Sequence, residues 1–253
     1  MKKIKISSEI TYFLAIALLS LAVAILSAAD FGISMIVAPA YLLSLKTGVF
    51  SFGQAEYAIQ AGLFIVLCLV LRRFKLVYLS SFITCLVYGA ALDLWRLIPF
   101  FNPAVTAPGS MATPLRVAMY ISGVLLTSFS VALFFKSYLY PQVYDFFVKA
   151  VSERYKVKLS ALKTGVDLSL LATSVIMSLC FFKKFVGIGW GTLIMAPING
   201  TLIGWFSCFL DKTCDFPPRF QKFAALFALE ESPSPAACAN ADVAEISGKH
   251  DGN

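Results

Sequence analysis

Long apolar stretches without charge alternate along the chain with short basic clusters. Ile10–Ala29, Val117–Phe135 and Phe185–Leu210 contain no Asp, Glu, Lys or Arg. A helix needs roughly 20 apolar residues to cross about 30 Å of hydrocarbon. None of these runs alternates polar with apolar as a barrel strand would. The pattern predicts spans over Thr11–Ala29, Ala55–Leu71, Leu76–Ile98, Val117–Phe135, Val166–Phe182 and Gly187–Leu210. The expected fold class is an all-α membrane protein of six transmembrane helices.

Two connections have the makings of further helices. Phe31–Leu45 is uncharged but too short to span comfortably, and reads as a re-entrant or an outer interfacial helix. Pro141–Tyr155 opens on a proline suited to a first helical turn. Its apolar positions Val143, Phe146, Phe147, Val151 and Tyr155 approach a 3.6-residue period, with Asp145, Lys149, Glu153 and Arg154 between them. That pattern predicts an amphipathic helix lying on the cytoplasmic interface.

The chain also resembles itself. "LKTGV" occurs at Leu45–Val49 and again at Leu162–Val166, each copy after a short helix-like segment and before a span. Each following span ends in a basic pair and a phenylalanine, Arg72-Arg73-Phe74 and Lys183-Lys184-Phe185. The next span carries a late glycine and an aspartate, Gly89 with Asp93 and Gly204 with Asp211. This order of landmarks predicts a duplicated unit of three spans. An odd number of spans inserts the second copy upside down, an inverted repeat of the kind common in transporters. The expected organisation is a cytoplasmic N-terminus over 1–10, a first repeat over 11–98, an outer loop over 99–116, a second repeat over 117–211 and a cytoplasmic tail over 212–253. Beyond Phe227 the tail turns to Ala, Ser, Pro and charge, too poor in large apolar residues to bury a core.

Charge then fixes orientation. Lys2, Lys3 and Lys5, then Arg72, Arg73 and Lys75, then the basic residues from Lys136 to Lys163, then Lys212, Arg219 and Lys222 all fall on one side. Cytoplasmic loops carry such an excess, so both termini are expected inside. Lys183-Lys184 is discordant, and inversion of the repeat explains it. The net charge of +7, which in a soluble chain would suggest nucleic acid, is accounted for by these anchors. The basic start "MKKIKI" resembles a signal peptide, but the apolar run behind it is too long and lacks a clear cleavage site.

Composition confirms the class: 59% of residues are hydrophobic and 14% charged, against about 25% charged in soluble domains. It also narrows the chemistry. The single histidine is His250 in the tail, and the six cysteines show no CxxC spacing. No metal, cofactor or catalytic set is expected, "GIGWG" lacks the lysine of a phosphate loop, and the chain is read as a non-enzyme. Polar groups inside apolar spans are costly and often functional. Glu56 and Gln60 lie four apart on one helix face. Asp93 and Arg96 lie three apart, where they can pair or sit at the outer interface. Asp167 is expected near the cytoplasmic end, and Asn199 lies mid-span beside Pro197, where a bend is expected. Glu56, Gln60, Asp93, Arg96 and Asn199 are the candidate substrate or ion pathway. Gly187 with Gly191 and Gly200 with Gly204 have small-xxx-small spacing for close helix contact.

"DFGIS" (30–34), "SFGQ" (51–54), "RRF" (72–74), "GAALD" (89–93) and "GIGWGT" (187–192) resemble motifs of the YczE/YyaS/YitT-type bacterial membrane proteins. The resemblance implies a multi-pass protein of the bacterial plasma membrane and brings no substrate or catalytic residue. The expected function is small-solute transport or binding, and the alternative a non-transporting accessory or scaffold that docks through the basic 136–163 segment.

Overall fold

A computed structural model describes residues 4–72, 78–103, 105–139, 142–157 and 159–220, without the side chains at 108, 149, 153, 159–161, 196 and 197. Arg73, Phe74, Lys75, the expected start of the third span at Leu76, Pro141, Lys158 and the tail from Gln221 onward lie outside the described residues. Eight α-helices follow in order: α1 Ser8–Ala29, α2 Ala38–Thr47, α3 Phe52–Leu71, α4 Leu79–Arg96, α5 Thr113–Phe135, α6 Val143–Tyr155, α7 Leu159–Phe182 and α8 Trp190–Thr213. Short 3₁₀ turns at Pro99–Phe101 and Pro108–Ser110 join α4 to α5. Helices α1, α3, α5 and the Leu162–Phe182 part of α7 are long and apolar enough to cross a membrane.

Helix α1 is the centre of the bundle, with α4 and α5 packed on either side. Many of its inward positions are small: Ala15, Ser20, Ala22, Ala24, Ser27 and Ala28 are buried, alongside Ile16, Val23 and Leu26. Without a hydrophobic force between helices in lipid, close approach over small residues supplies the packing. The Trp95 indole of α4 donates to Ala17 O and Ser20 Oγ of α1, and Leu26 sits where a side chain at Gly123 of α5 would stand.

Outward from this trio, α8 packs on α5, and α3 packs on α4. The short helices do not lie on the surface. Helix α2 is wedged between α3 and α7, with Ala40 and Leu42 fully buried. Helix α6 packs against α3, α4 and α7. The apolar face expected of α6 packs on the bundle: Phe146 and Val151 are buried against Leu67, Leu71 and Tyr78.

Other boundaries shift for local reasons. Helix α3 begins at Phe52 because Ser51 and Gln54 form a reciprocal capping box. Helix α7 begins at Leu159, before the expected Val166, so the second "LKTGV" is helical. In the first copy Gly48 adopts φ +60 and closes α2, its N–H bonding Ser44 O. Gly165 keeps helical geometry, tolerated at about 1 kcal/mol relative to alanine. Helix α8 continues without interruption past residue 197.

Sequence reasoning missed a clasp between the two ends of the chain. Ile4–Lys5 (β1) pairs in parallel with Cys214–Asp215 (β2). The Glu9 carboxylate accepts from the backbone N–H of Arg219 and Phe220 and from the Tyr138 hydroxyl. Burial, followed by the hydrogen bond and the charge of Glu9, pushes the Tyr138 phenol up to about 12.

Candidate functional site

The most polar buried point lies where α3, α4 and α6 meet. Glu56 and Gln60 of α3 are both 0% exposed, because the i, i+4 spacing carries both to the face packed on α6. Gln60 organises the group. Its Nε2 donates to Glu56 Oε1 and to Gln142 Oε1, both at 3.0 Å. Its Oε1 accepts from the N–H of Val143, the first residue of α6, at 3.1 Å. That N–H has no acceptor within its own helix, so the Gln60 side chain caps α6 from a neighbouring helix.

These bonds leave free ends. Glu56 Oε2, Gln142 Nε2 and the hydroxyls of Tyr88 and Tyr144 are buried with no hydrogen-bond partner among the described residues. Buried polar groups are normally satisfied, and an unsatisfied one costs about 1–3 kcal/mol. Four such atoms occur at or near one carboxylate. Tyr144 senses that carboxylate: burial first, then the charges of Glu56, Cys85 and Tyr88, push its phenol well above the usual range. Cys85 of α4 is buried and reduced.

Glu56 and Gln60 were legible as a pair, and the structure brings them together. Gln142, Tyr88 and Tyr144 were missed. Gln142 stands before the first turn of α6 but makes no capping bond there, so no local signal marks its contact with Gln60.

The remaining candidates are placed elsewhere. Asp93 holds the start of α3: its carboxylate accepts from Ser51 Oγ and, at 2.9 Å, from the Gly53 N–H. A negative charge there complements the helix dipole. A side chain at Gly53 would strike Gly89 O, so α3 and α4 touch backbone to backbone. Arg96 lies with its guanidinium 5.3 Å from the Phe52 ring centre and its Nε buried without a partner. Asn199 is far from Glu56 in the packing, on α8, where Ser128 of α5 donates to its Oδ1 at 2.8 Å. It is a helix–helix tie and does not join the Glu56 cluster. Asp167 is half-buried in the first turns of α7, beside the Lys163–Asp145 ion pair.

The glycine-rich motif has a structural task at the start of α8. The Gly191 N–H donates to Phe31 O at 2.9 Å, the Ile33 N–H to Gly187 O at 3.1 Å, and Thr192 Oγ1 to Ile33 O at 2.8 Å. "DFGIS" thus crosses the start of α8 in backbone contact. Side chains at Gly189 or Gly191 would strike Phe31 O. Arg116 completes this corner by donating to Ala29 O and Asp30 O, carbonyls that end α1. Burial raises the Asp30 carboxyl and Arg116 opposes that shift. Gly200 and Gly204, expected to pack in the bundle, meet nothing within 4 Å among the described residues. The reason is that α8 rests on α5 through its other face, which carries Met195, Asn199 and Leu210.

Among the described residues no group of His, Cys, Asp and Glu is arranged to hold a metal ion. No curated protein and no solved structure matches the chain. The family of unknown function DUF6198 matches over residues 6–208, and the chain belongs to that family.

Proposed function

We propose that this protein is a six-span inverted-repeat protein of the bacterial plasma membrane, of the YczE/YyaS/YitT type, with both termini in the cytoplasm. It binds a small solute at the Glu56–Gln60–Gln142 cluster and moves it across the bilayer. The observation that carries the solute reading is the fully buried Glu56 carboxylate, whose Oε2, with three further polar ends near it, has no partner among the described residues.

The packing supports the repeat. Exchanging α1–α4 with α5–α8 carries the α1–α4 contact onto α5–α8, α2–α3 onto α6–α7 and α3–α6 onto α7–α2. The helix ends follow the same exchange. Gly48 and Lys156 both close a short helix in the left-handed region, and Arg72 and Lys183 both close the following span there. Lys46 of α2 reaches Phe181 O near the end of α7, and Tyr155 of α6 reaches Val70 O near the end of α3. Each short helix so supplies a donor to an orphan carbonyl of the other repeat. The α3–α4 and α4–α6 pairs are the exceptions, since α7 with α8 and α8 with α2 make no comparable packing among the described residues. At 18 and 24 residues, α4 and α8 are about 27 and 36 Å long, enough for two further crossings. The pairing of Ile4–Lys5 with Cys214–Asp215 supports an even number of spans, because it keeps both chain ends on one side.

The scaffold reading, docking through 136–163, is weaker. Lys136 and Lys163 are engaged internally by Asp211 and Asp145. Reconstituted vesicles test the choice: uptake of a broad panel of labelled solutes is compared between the wild type and Glu56→Gln. The proposal expects at least one solute to enter with the wild type and not with the variant. Equal leakage for every solute, matching empty vesicles, would sink it.

A further inference from the structure

We propose that Glu56 is a proton-exchanging carboxyl: the closed pocket holds it as the neutral acid, and the proton passes to water when the pocket opens. The proposal rests on the solute-binding reading above and names the ion that accompanies the solute. It follows from an inventory of what surrounds the carboxylate. Glu56 is 0% exposed, and one amide N–H of Gln60 is its hydrogen bond. A carboxylate taken out of water needs a cation or several donors, and otherwise it neutralises itself.

The elements around it offer no positive charge among the described residues. Helix α4 presents the Cys85 thiol and the Tyr88 phenol, and α6 presents Tyr144 and the Gln142 amide, none of them cationic. The ionisable groups of α2 lie elsewhere: Tyr41 toward Asp30 and Arg96, and Lys46 at Phe181 O near the end of α7. On α3 itself the neighbour is Gln60. The compensating charge must therefore be mobile, and a single carboxyl calls for one unit of it.

The free atoms distinguish a proton from a metal ion. A hard metal cation is surrounded by oxygen acceptors. Here one free end is Gln142 Nε2, an N–H donor. Its direction is fixed because Gln142 Oε1 already accepts from Gln60. A donor amide, two phenols able to donate or accept and one bare carboxyl oxygen suit a proton, alone or carried by water. Oε2 is the atom that takes it, since Oε1 is held by Gln60. On opening toward one side the O–H bond at Oε2 breaks and its proton goes to water; from the other side water returns one.

Infrared difference spectroscopy of the full chain in lipid bilayers tests this without any substrate. The wild type should show a protonated-carboxyl C=O band at neutral pH that shifts in deuterated water. The band should be lost in Glu56→Gln and displaced in Tyr144→Phe, which removes a neighbouring hydroxyl while keeping the acid. Identical carboxyl bands in wild type and Glu56→Gln would overturn the proposal. So would loss of the band on adding sodium chloride at constant pH, which would assign the charge to a metal cation. If Glu56→Gln does not fold, an undisplaced band in Tyr144→Phe overturns it. Solute uptake that depends on Glu56 without such a band would leave the solute reading standing and remove only the proton.

Discussion

Replacing Gln60 by leucine removes the keystone of the buried cluster while nearly conserving volume. Three hydrogen bonds go with it, to Glu56, to Gln142 and from the Val143 N–H. Glu56 is then left with no partner, Gln142 with both amide ends bare, and the α6 N-terminus with an orphan donor. Each unsatisfied buried group costs about 1–3 kcal/mol in a protein interior, whereas polar contacts between membrane helices average about 0.6 kcal/mol. Taking about 1 kcal/mol for each of the three gives a loss of about 3 kcal/mol. Ser128→Ala removes the single Asn199 tie and should cost about 0.6 kcal/mol. Reversible unfolding in mixed micelles, followed by helical circular dichroism, measures both. A Gln60→Leu protein within about 0.5 kcal/mol of the wild type, a surface-like effect, would refute the reading of Gln60 as the group that joins α3 to α6.

Three further outcomes are expected from the same structure. Gly191→Ala places a methyl group against Phe31 O and the Tyr120 ring and should destabilise by about 1–3 kcal/mol, as overpacking does; Gly200→Ala, in open helical space, should stabilise by up to about 1 kcal/mol. Asp93→Ala frees Ser51 Oγ and the Gly53 N–H and should cost about 1–2 kcal/mol in the same unfolding assay. The raised phenol of Tyr138 favours the folded state while protonated: its contribution is complete below its ordinary value of about 10 and is lost as pH rises through about 12. The stability difference between wild type and Tyr138→Phe should therefore shrink across that window, and a constant difference would exclude a Glu9–Tyr138 clasp.

Much of this architecture was readable because membrane helices write their length and charge flanks directly into sequence. The apolar runs located α1, α5 and α8. The Glu56–Gln60 pair was readable because a helix brings residues four apart onto one face. What that face meets depends on tertiary contacts. Nothing local tells that Gln142 faces Gln60 or that Tyr88 and Tyr144 lie near Glu56, since these residues come from three helices. Asn199 shows the converse: a polar residue beside a proline drew attention, yet one serine across the α5–α8 contact satisfies it. Gly200 and Gly204 share the spacing of packed glycines, and spacing alone does not say which face of α8 is covered.

Cys85 gives the most direct test, because it is a native thiol buried beside Glu56 and 0% exposed. A full-length variant whose single cysteine is Cys85 can be treated in intact membrane vesicles with a small, charged, membrane-impermeant thiol reagent. A pocket that opens to water to exchange solute predicts slow, complete labelling of Cys85 without denaturant, faster in Gln60→Leu, where the tie to α6 is cut. Labelling that appears only after denaturation, in both proteins, would show a permanently closed core and contradict a transport role for the Glu56 cluster.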